Sequence, residues 1–252
     1  MLAIERRREI LARLEINGKV IVSELAKDFD VTEETIRRDL EKLDHEGFAS
    51  KTYGGAVAKH NSALDLPYNV RESVNVEQKQ HIADKLAERI NDGDRLMLDS
   101  SSTALYVVKR IKEKKNLTII TNSVKILLEL ADKQDWTVLS TGGILKKGAL
   151  SLTGSSAEKM IHSYYVDAAI CSCKGIDMNV GISDSNENDS LIKQAMYHSA
   201  EKRILALDSE KLDKKSFVKV CDFQDVDLIV MDREPDEKWI RFCAEKNIEL
   251  VY

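Results

Sequence analysis

From residue 76 onward, short apolar runs alternate with helical stretches, and this alternation constrains the fold more than anything else in the chain. The runs fall at 95–99, 117–120, 136–140, 166–171, 203–207, 228–231 and 248–251. A helical pattern over 76–91 leads through Asp92-Gly93-Asp94 into the first of them. Strands separated by helices are joined by crossovers, so the expected architecture is α/β, a doubly wound and mostly parallel sheet. The chain contains no internal repeat and no low-complexity tract. At 43% hydrophobic and 32% charged residues it has the composition of a globular protein. No apolar run approaches the ~20 residues of a membrane span. Met1-Leu2-Ala3-Ile4 is followed by Glu5-Arg6-Arg7-Arg8 with no apolar signal core. No membrane partner and a cytoplasmic location are therefore expected. Four cysteines (Cys171, Cys173, Cys221, Cys243) form no disulfide framework.

Residues 1–57 follow a different pattern, predicted to be three helices and a β-hairpin wing. Ile4, Ile10, Leu11 and Leu14 share a helical face that stops at Gly18. Ser23 is placed to cap a short second helix carrying Leu25 and Ala26. After the turn Phe29-Asp30-Val31, Thr32 caps a third helix. Ile36, Leu40 and Leu43 line its buried side, and Gly47 ends it. Residues 48–57, interrupted by Gly54-Gly55, make the wing. A polar stretch without periodicity, 58–75, containing Pro67, is expected to be a mobile linker to the second domain, 76–252.

The arrangement of helix, short turn and helix is a helix-turn-helix, whose second helix enters the DNA major groove by its N-terminal part. With Ile36, Leu40 and Leu43 facing inward, Arg38 and Lys42 project outward and Arg37 lies on the flank. Thr32, Glu34 and Thr35 occupy the leading turn, Thr35 being short enough for close approach. Lys51, Tyr53 and Gly54 on the wing are in reach of neighbouring backbone. Binding must come from this local clustering: the chain carries a net −5, and residues 1–60 hold 11 Lys/Arg against 12 Asp/Glu. The competing reading makes Arg37, Arg38 and Lys42 a solvated face paired with Glu34 and Glu41.

Arg6, Ile10 and Leu14, followed by Thr32, Thr35, Ile36, Arg37, Arg38, Asp39 and Leu40, resemble the helix-turn-helix signature of the DeoR family of bacterial regulators. The family wing, R-x-H-G-G-A, is here Lys51-Thr52-Tyr53-Gly54-Gly55-Ala56. The resemblance implies a repressor of carbohydrate-metabolism genes that binds a double-stranded operator. It also implies a sensor domain similar to ribose-5-phosphate isomerase and glucosamine-6-phosphate deaminase. The family's D-x-G-[ST]-T phosphate loop falls on Asp99-Ser100-Ser101-Ser102-Thr103, with Ser101 in the glycine position. Thr121 and Asn122, then Gly142 and Gly143, follow the next two strands, where open α/β sheets hold ligands. Lys174, Lys193 and Lys211 are candidates for neutralising phosphate; Asp99, Asp184 or Glu187 for bonding sugar hydroxyls. The resemblance thus implies a phosphorylated sugar or polyol as effector and no cofactor; a homodimer or homotetramer is expected because one short head reads few base pairs and operators usually repeat.

Three alternatives accompany this reading. A sugar-phosphate isomerase-like enzyme needs carboxylates that the hand alignment places at Cys171-Ser172-Cys173-Lys174-Gly175, where there are none. An adaptor whose α/β domain only oligomerises would show no ligand-dependent stabilisation. A metal at Cys171 and Cys173 lacks a further Cys or His pair to complete a tetrahedral site.

Overall fold

The computed structural model describes residues 1–59 and 66–252, and the chain divides into two compact units, Met1–Asn75 and Val76–Tyr252. The first unit comprises α1 (Ala3–Asn17), β1 (Lys19–Ile21), α2 (Val22–Asp28), α3 (Glu33–His45), β2 (Ala49–Thr52), β3 (Gly55–Ala58) and α4 (Tyr68–Ser73). Ile10, Leu14, Leu25, Ile36, Leu40 and Leu43 are almost fully buried and form its core. Gly18 closes α1 in the left-handed region, its amide donating to Leu14 O at 2.8 Å. Thr32 caps α3, its Oγ1 accepting from Thr35 N at 3.2 Å.

Several expectations are corrected. Ile4 is exposed, and the buried face of α1 starts at Arg6. Ser23 is not a cap: α2 starts one residue earlier, behind Ile21. The wing has a third strand, β1, and the sheet order is β1-β3-β2, antiparallel throughout. This third strand is why residue 55 is glycine: a Cβ there would lie 1.9 Å from Val20 O. The expected linker also carries structure. Residues 60–65 lie outside the described residues, but Tyr68–Ser73 is helical and Val70 and Val74 join the core of the first unit. That unit therefore extends to Asn75 rather than ending at 57.

The second unit opens with α5 (Val76–Ala87), β4 (Arg95–Leu98), α6 (Ser102–Arg110), β5 (Thr118–Thr121), α7 (Val124–Glu129) and β6 (Thr137–Ser140). A hairpin, β7 (Ile144–Lys146) and β8 (Ser151–Thr153), leads to α8 (Ser155–Ile161) and β9 (Val166–Cys171). Then come β10 (Gly175–Asp177), β11 (Gly181–Asp184), α9 (Glu187–His198) and β12 (Ala200–Ala206). The chain finishes with β13 (Val218–Cys221), β14 (Leu228–Val230), α10 (Glu237–Glu245) and β15 (Glu249–Val251). Among the described residues the main sheet has seven strands in the order β15-β14-β12-β9-β4-β5-β6, every pair parallel. These seven are the seven apolar runs, and the doubly wound α/β class holds. The hairpin and the antiparallel sheet β10-β11-β13 are additions that the apolar runs do not announce. The chain lays down β4, β5 and β6 in one direction, then returns to place β9 on the other side of β4. The strand order thus reverses between β4 and β9, and a crevice is expected at that point beyond the strands' carboxyl ends.

Candidate functional sites

In the first unit, α3 presents its candidates as predicted, but not as bare cations. Arg38 Nε donates to Glu34 at 3.2 Å, both side chains well exposed. Arg37 pairs with Glu33, and Lys51 on β2 lies 3.6 Å from Glu41. Lys42 is exposed, Thr35 half-buried, and Thr35 Oγ1 lies 2.9 Å from Thr32 Oγ1. Tyr53 and Gly54 form the turn of the wing, with Tyr53 projecting fully into solvent. The solvated-face reading holds for Arg38 with Glu34, while Arg37 pairs with Glu33 and Glu41 with Lys51; a DNA contact by any of these cations requires exchange of its partner. Such exposed i,i+4 pairs contribute only about 0.3–0.5 kcal/mol, so the exchange costs little.

Two signature residues have a different role. Asp39 is buried beneath α3 and accepts from Arg6 Nε at 2.5 Å and Arg7 at 3.2 Å. This pair pins α1 to α3 across the core. It sets the angle of the reading helix without facing outward. The sequence reading quoted both residues but assigned no contact, because they lie 33 positions apart.

In the second unit, the switch point between β4 and β9 holds a buried polar network. Asp99, at the end of β4, accepts from Ser101 N (3.1 Å), Ser101 Oγ (2.5 Å) and Ser172 N (3.0 Å). Lys193, buried on α9, reaches both Asp184, in a direct ion pair, and Asp99 at 3.5 Å. Burial disfavours charge on Lys193, yet Asp184 and Asp99 outweigh it and hold its pKa above the usual lysine range. Burial likewise opposes ionisation of Asp184, and Lys193 reverses that, leaving the carboxyl below its usual range. Lys211 donates to Ser172 Oγ at 3.1 Å and lies 3.3 Å from Asp208. Burial again opposes both charges, and the pairing prevails, raising Lys211 and lowering Asp208. Lys79 on α5 is buried as well and adds to the depression of Asp208.

The phosphate-loop candidates fall at the start of α6. Ser101 is its N-cap, with φ −72° and its Oγ accepting from Ala104 N at 3.1 Å. The position does not call for glycine, so the serine is unstrained. Ser102 and Thr103 are buried in the first turn, where helix amides lack intrahelical acceptors. Ser100 is half-buried. Thermal melts are expected to show Ser101→Ala costing about 1 kcal/mol and Ser101→Gly a few tenths, as for other N-caps. A Ser101→Ala melt indistinguishable from wild type would mean that the hydroxyl does not cap.

The remaining candidates separate. Thr121 is buried, its hydroxyl donating to Leu98 O at 2.7 Å, and Asn122 Nδ2 donates to Leu152 O at 3.1 Å. Both brace strand ends. Gly142 (φ 62°) and Gly143 (φ 104°) lie exposed after β6. A Cβ on Gly143 would meet Thr153 O at 2.5 Å, so packing against the β7–β8 hairpin already explains this glycine. Lys174 is half-buried and contributes to the depression of Asp184. Glu187 lies exposed in the first turn of α9, outside the network. Asp184, Ser172 and Asp208 are at the centre instead. Cys171 and Cys173 are buried, Cys171 Sγ standing 4.0 Å from Met196 Sδ. Burial pushes the Cys173 thiol up to about 12.

A winged helix-turn-helix followed by a doubly wound α/β unit with a buried charged network at its switch point defines a DNA-binding transcription regulator. The chain belongs to the DeoR family. The DeoR C-terminal sensor domain matches residues 74–233, and the DeoR-like helix-turn-helix domain matches residues 6–62. It is similar to the HTH-type transcriptional regulator YulB of Bacillus subtilis, 39% identical over 100% of this chain and 97% of the relative. The L-fucose operon activator of Haemophilus influenzae is 31% identical over 96% and 97%. The HTH-type transcriptional repressor GlcR of Bacillus subtilis is 31% identical over 98% and 95%. Among solved structures, ribose 5-phosphate isomerase from Plasmodium falciparum is similar over 53% of this chain and 52% of its own, with a TM-score of 0.39 and 19% identity. The chain is a regulator of transcription, not an isomerase. No helix among the described residues is long and apolar enough to cross a membrane.

Proposed function

We propose that the protein represses a carbohydrate-metabolism operon in the cytoplasm, as a homodimer or homotetramer, and leaves its operator when a phosphorylated sugar or polyol enters the crevice between β4 and β9. One observation carries this reading: two lysines, three carboxylates and the first turn of α6 converge at the switch point. The lysines divide the work. Lys193 spends its charge on Asp184 and Asp99 and orients them as acceptors for sugar hydroxyls. Lys211, half-buried and with Asp208 as its carboxylate partner, is tied through Ser172 to Asp99 at the α6 loop. Lys211 and the α6 amides form the anion side, where helix dipole and unpaired N–H groups favour a phosphate.

Release from DNA requires the ligand to prefer the DNA-incompetent state. A tenfold loss of operator affinity corresponds to about 1.4 kcal/mol of differential binding, within the range of one charge-assisted phosphate contact. A gel-shift titration on the operator, with sugar phosphates and their unphosphorylated parents, tests this. The phosphates are expected to release DNA and the parents to do nothing, and Lys211→Ala is expected to abolish the response. Equal action by the parents, or an unaltered response in Lys211→Ala, removes the phosphate from this crevice.

A further inference from the structure

The ion pair between Glu34 and Arg38 leads to a proposal about how the regulator reads its operator. At about 100° per residue, Glu34 and Arg38 lie within about 40° of the direction opposite the buried stripe of Ile36, Asp39, Leu40 and Leu43. Of the two ion pairs described within α3, it is the one aimed outward. Glu33 and Arg37 form the equivalent pair on the flank, with Glu33 about 70° from the centre of the buried stripe. Glu34 sits in the first turn, the part of a reading helix that meets base edges.

We infer that Glu34 is a specificity-determining residue: it accepts a hydrogen bond from the exocyclic amino group of a cytosine or adenine, while Arg38 turns to a neighbouring guanine. The chemistry is complementary, because a carboxylate can only accept and a guanidinium can only donate. Four helical residues rise about 6 Å, which spans roughly two base-pair steps, so the two side chains read separate, nearby pairs. At another base pair the amino donor lies elsewhere in the groove, and the carboxylate faces an acceptor there, guanine N7 or O6 or thymine O4, and is repelled. Its pairing with Arg38 then withholds that cation from non-specific backbone contact. The acid thus selects against wrong DNA, which accounts for an acidic residue on the reading face of a chain whose first 60 residues carry no net positive charge.

The experiment selects an operator from a random duplex pool with the full-length wild-type chain. Binding of wild type, Glu34→Gln, Arg38→Ala and Glu33→Gln is then measured on every single-base-pair variant of that operator. A random-sequence duplex is measured over a salt series. Glu34→Gln is expected to lose about tenfold discrimination at one base pair and to bind the random duplex more tightly, with a salt slope steeper by about one phosphate contact. Arg38→Ala is expected to lose discrimination at a different, nearby pair. Glu33→Gln removes the same first-turn charge and is expected to keep the base profile. Identical behaviour of Glu33→Gln and Glu34→Gln, or an unchanged base profile in Glu34→Gln, overturns the proposal and leaves Glu34 as a helix-start charge.

Discussion

Replacing Lys193 with methionine is expected to destabilise the unit Val76–Tyr252 by about 3–5 kcal/mol, the usual cost of removing one partner from a buried ion pair. The lysine is buried, and its departure removes the cation that pairs directly with Asp184 and lies 3.5 Å from Asp99, both buried. The pH response identifies the cause. In the wild type the Asp184 pKa is held down, so its stabilisation is complete above the ordinary carboxylate value of about 3.9 and is lost as pH falls through the depressed one. In the variant burial is expected to outweigh what Lys174 and the Ser185 amide still offer and to raise the carboxyl pKa, so stability is regained as pH falls. Urea melts at pH 7 and at progressively lower pH should therefore run in opposite directions for the two proteins. A variant as stable as wild type at pH 7 would show that Lys193 does not hold the crevice together.

The second large effect concerns the first unit. Asp39→Ala leaves Arg6 buried without its carboxylate, and a loss of about 3–5 kcal/mol is expected. Whole domains are stable by only about 5–15 kcal/mol, so a 75-residue unit would be close to unfolded at growth temperature. Operator binding should vanish on warming and return on cooling. Arg38→Ala, by contrast, should weaken binding with the melting temperature of the unit unchanged. Calorimetry beside gel shifts at two temperatures separates the two. Asp39→Ala with an unaltered melting transition would mean that Asp39 acts at the DNA and not through the fold.

The two halves of the chain differ in how far sequence could reveal them. The inner strands of the parallel sheet are largely buried on both faces, and such strands read as uninterrupted apolar runs. The antiparallel pieces are only three or four residues long and mix hydroxyls, charge and glycine, as in Ser151-Leu152-Thr153 and Gly175-Ile176-Asp177. Nothing periodic marks them. The helix Tyr68–Ser73 is too short for a period to declare itself, and only its burial against α1 makes it part of the first unit. At the crevice, a single lysine gave no sign of its partners. Asp99 lies 94 positions before Lys193 and Ser172 39 before Lys211, so the sequence suggested a free cation where the fold builds an occupied one. Glu187 illustrates the converse. It lies only three positions after Asp184, yet α9 turns it to solvent while Asp184 faces Lys193.

The strand order has a kinetic consequence. The first unit is built from neighbours in sequence, whereas β4, at the centre of the large sheet, pairs with β9 through residues 72 positions apart, Leu96 against Ala168. Long-range pairing of this kind slows folding, while local contacts speed it. At synthesis rates of roughly 5–20 residues per second, β9 emerges on the order of 5–20 s after the first unit is complete. During that interval the nascent chain is expected to carry a finished DNA-reading head, while β4 still waits with an open edge for its second neighbour. The large sheet is therefore the last part of the growing polypeptide to be completed.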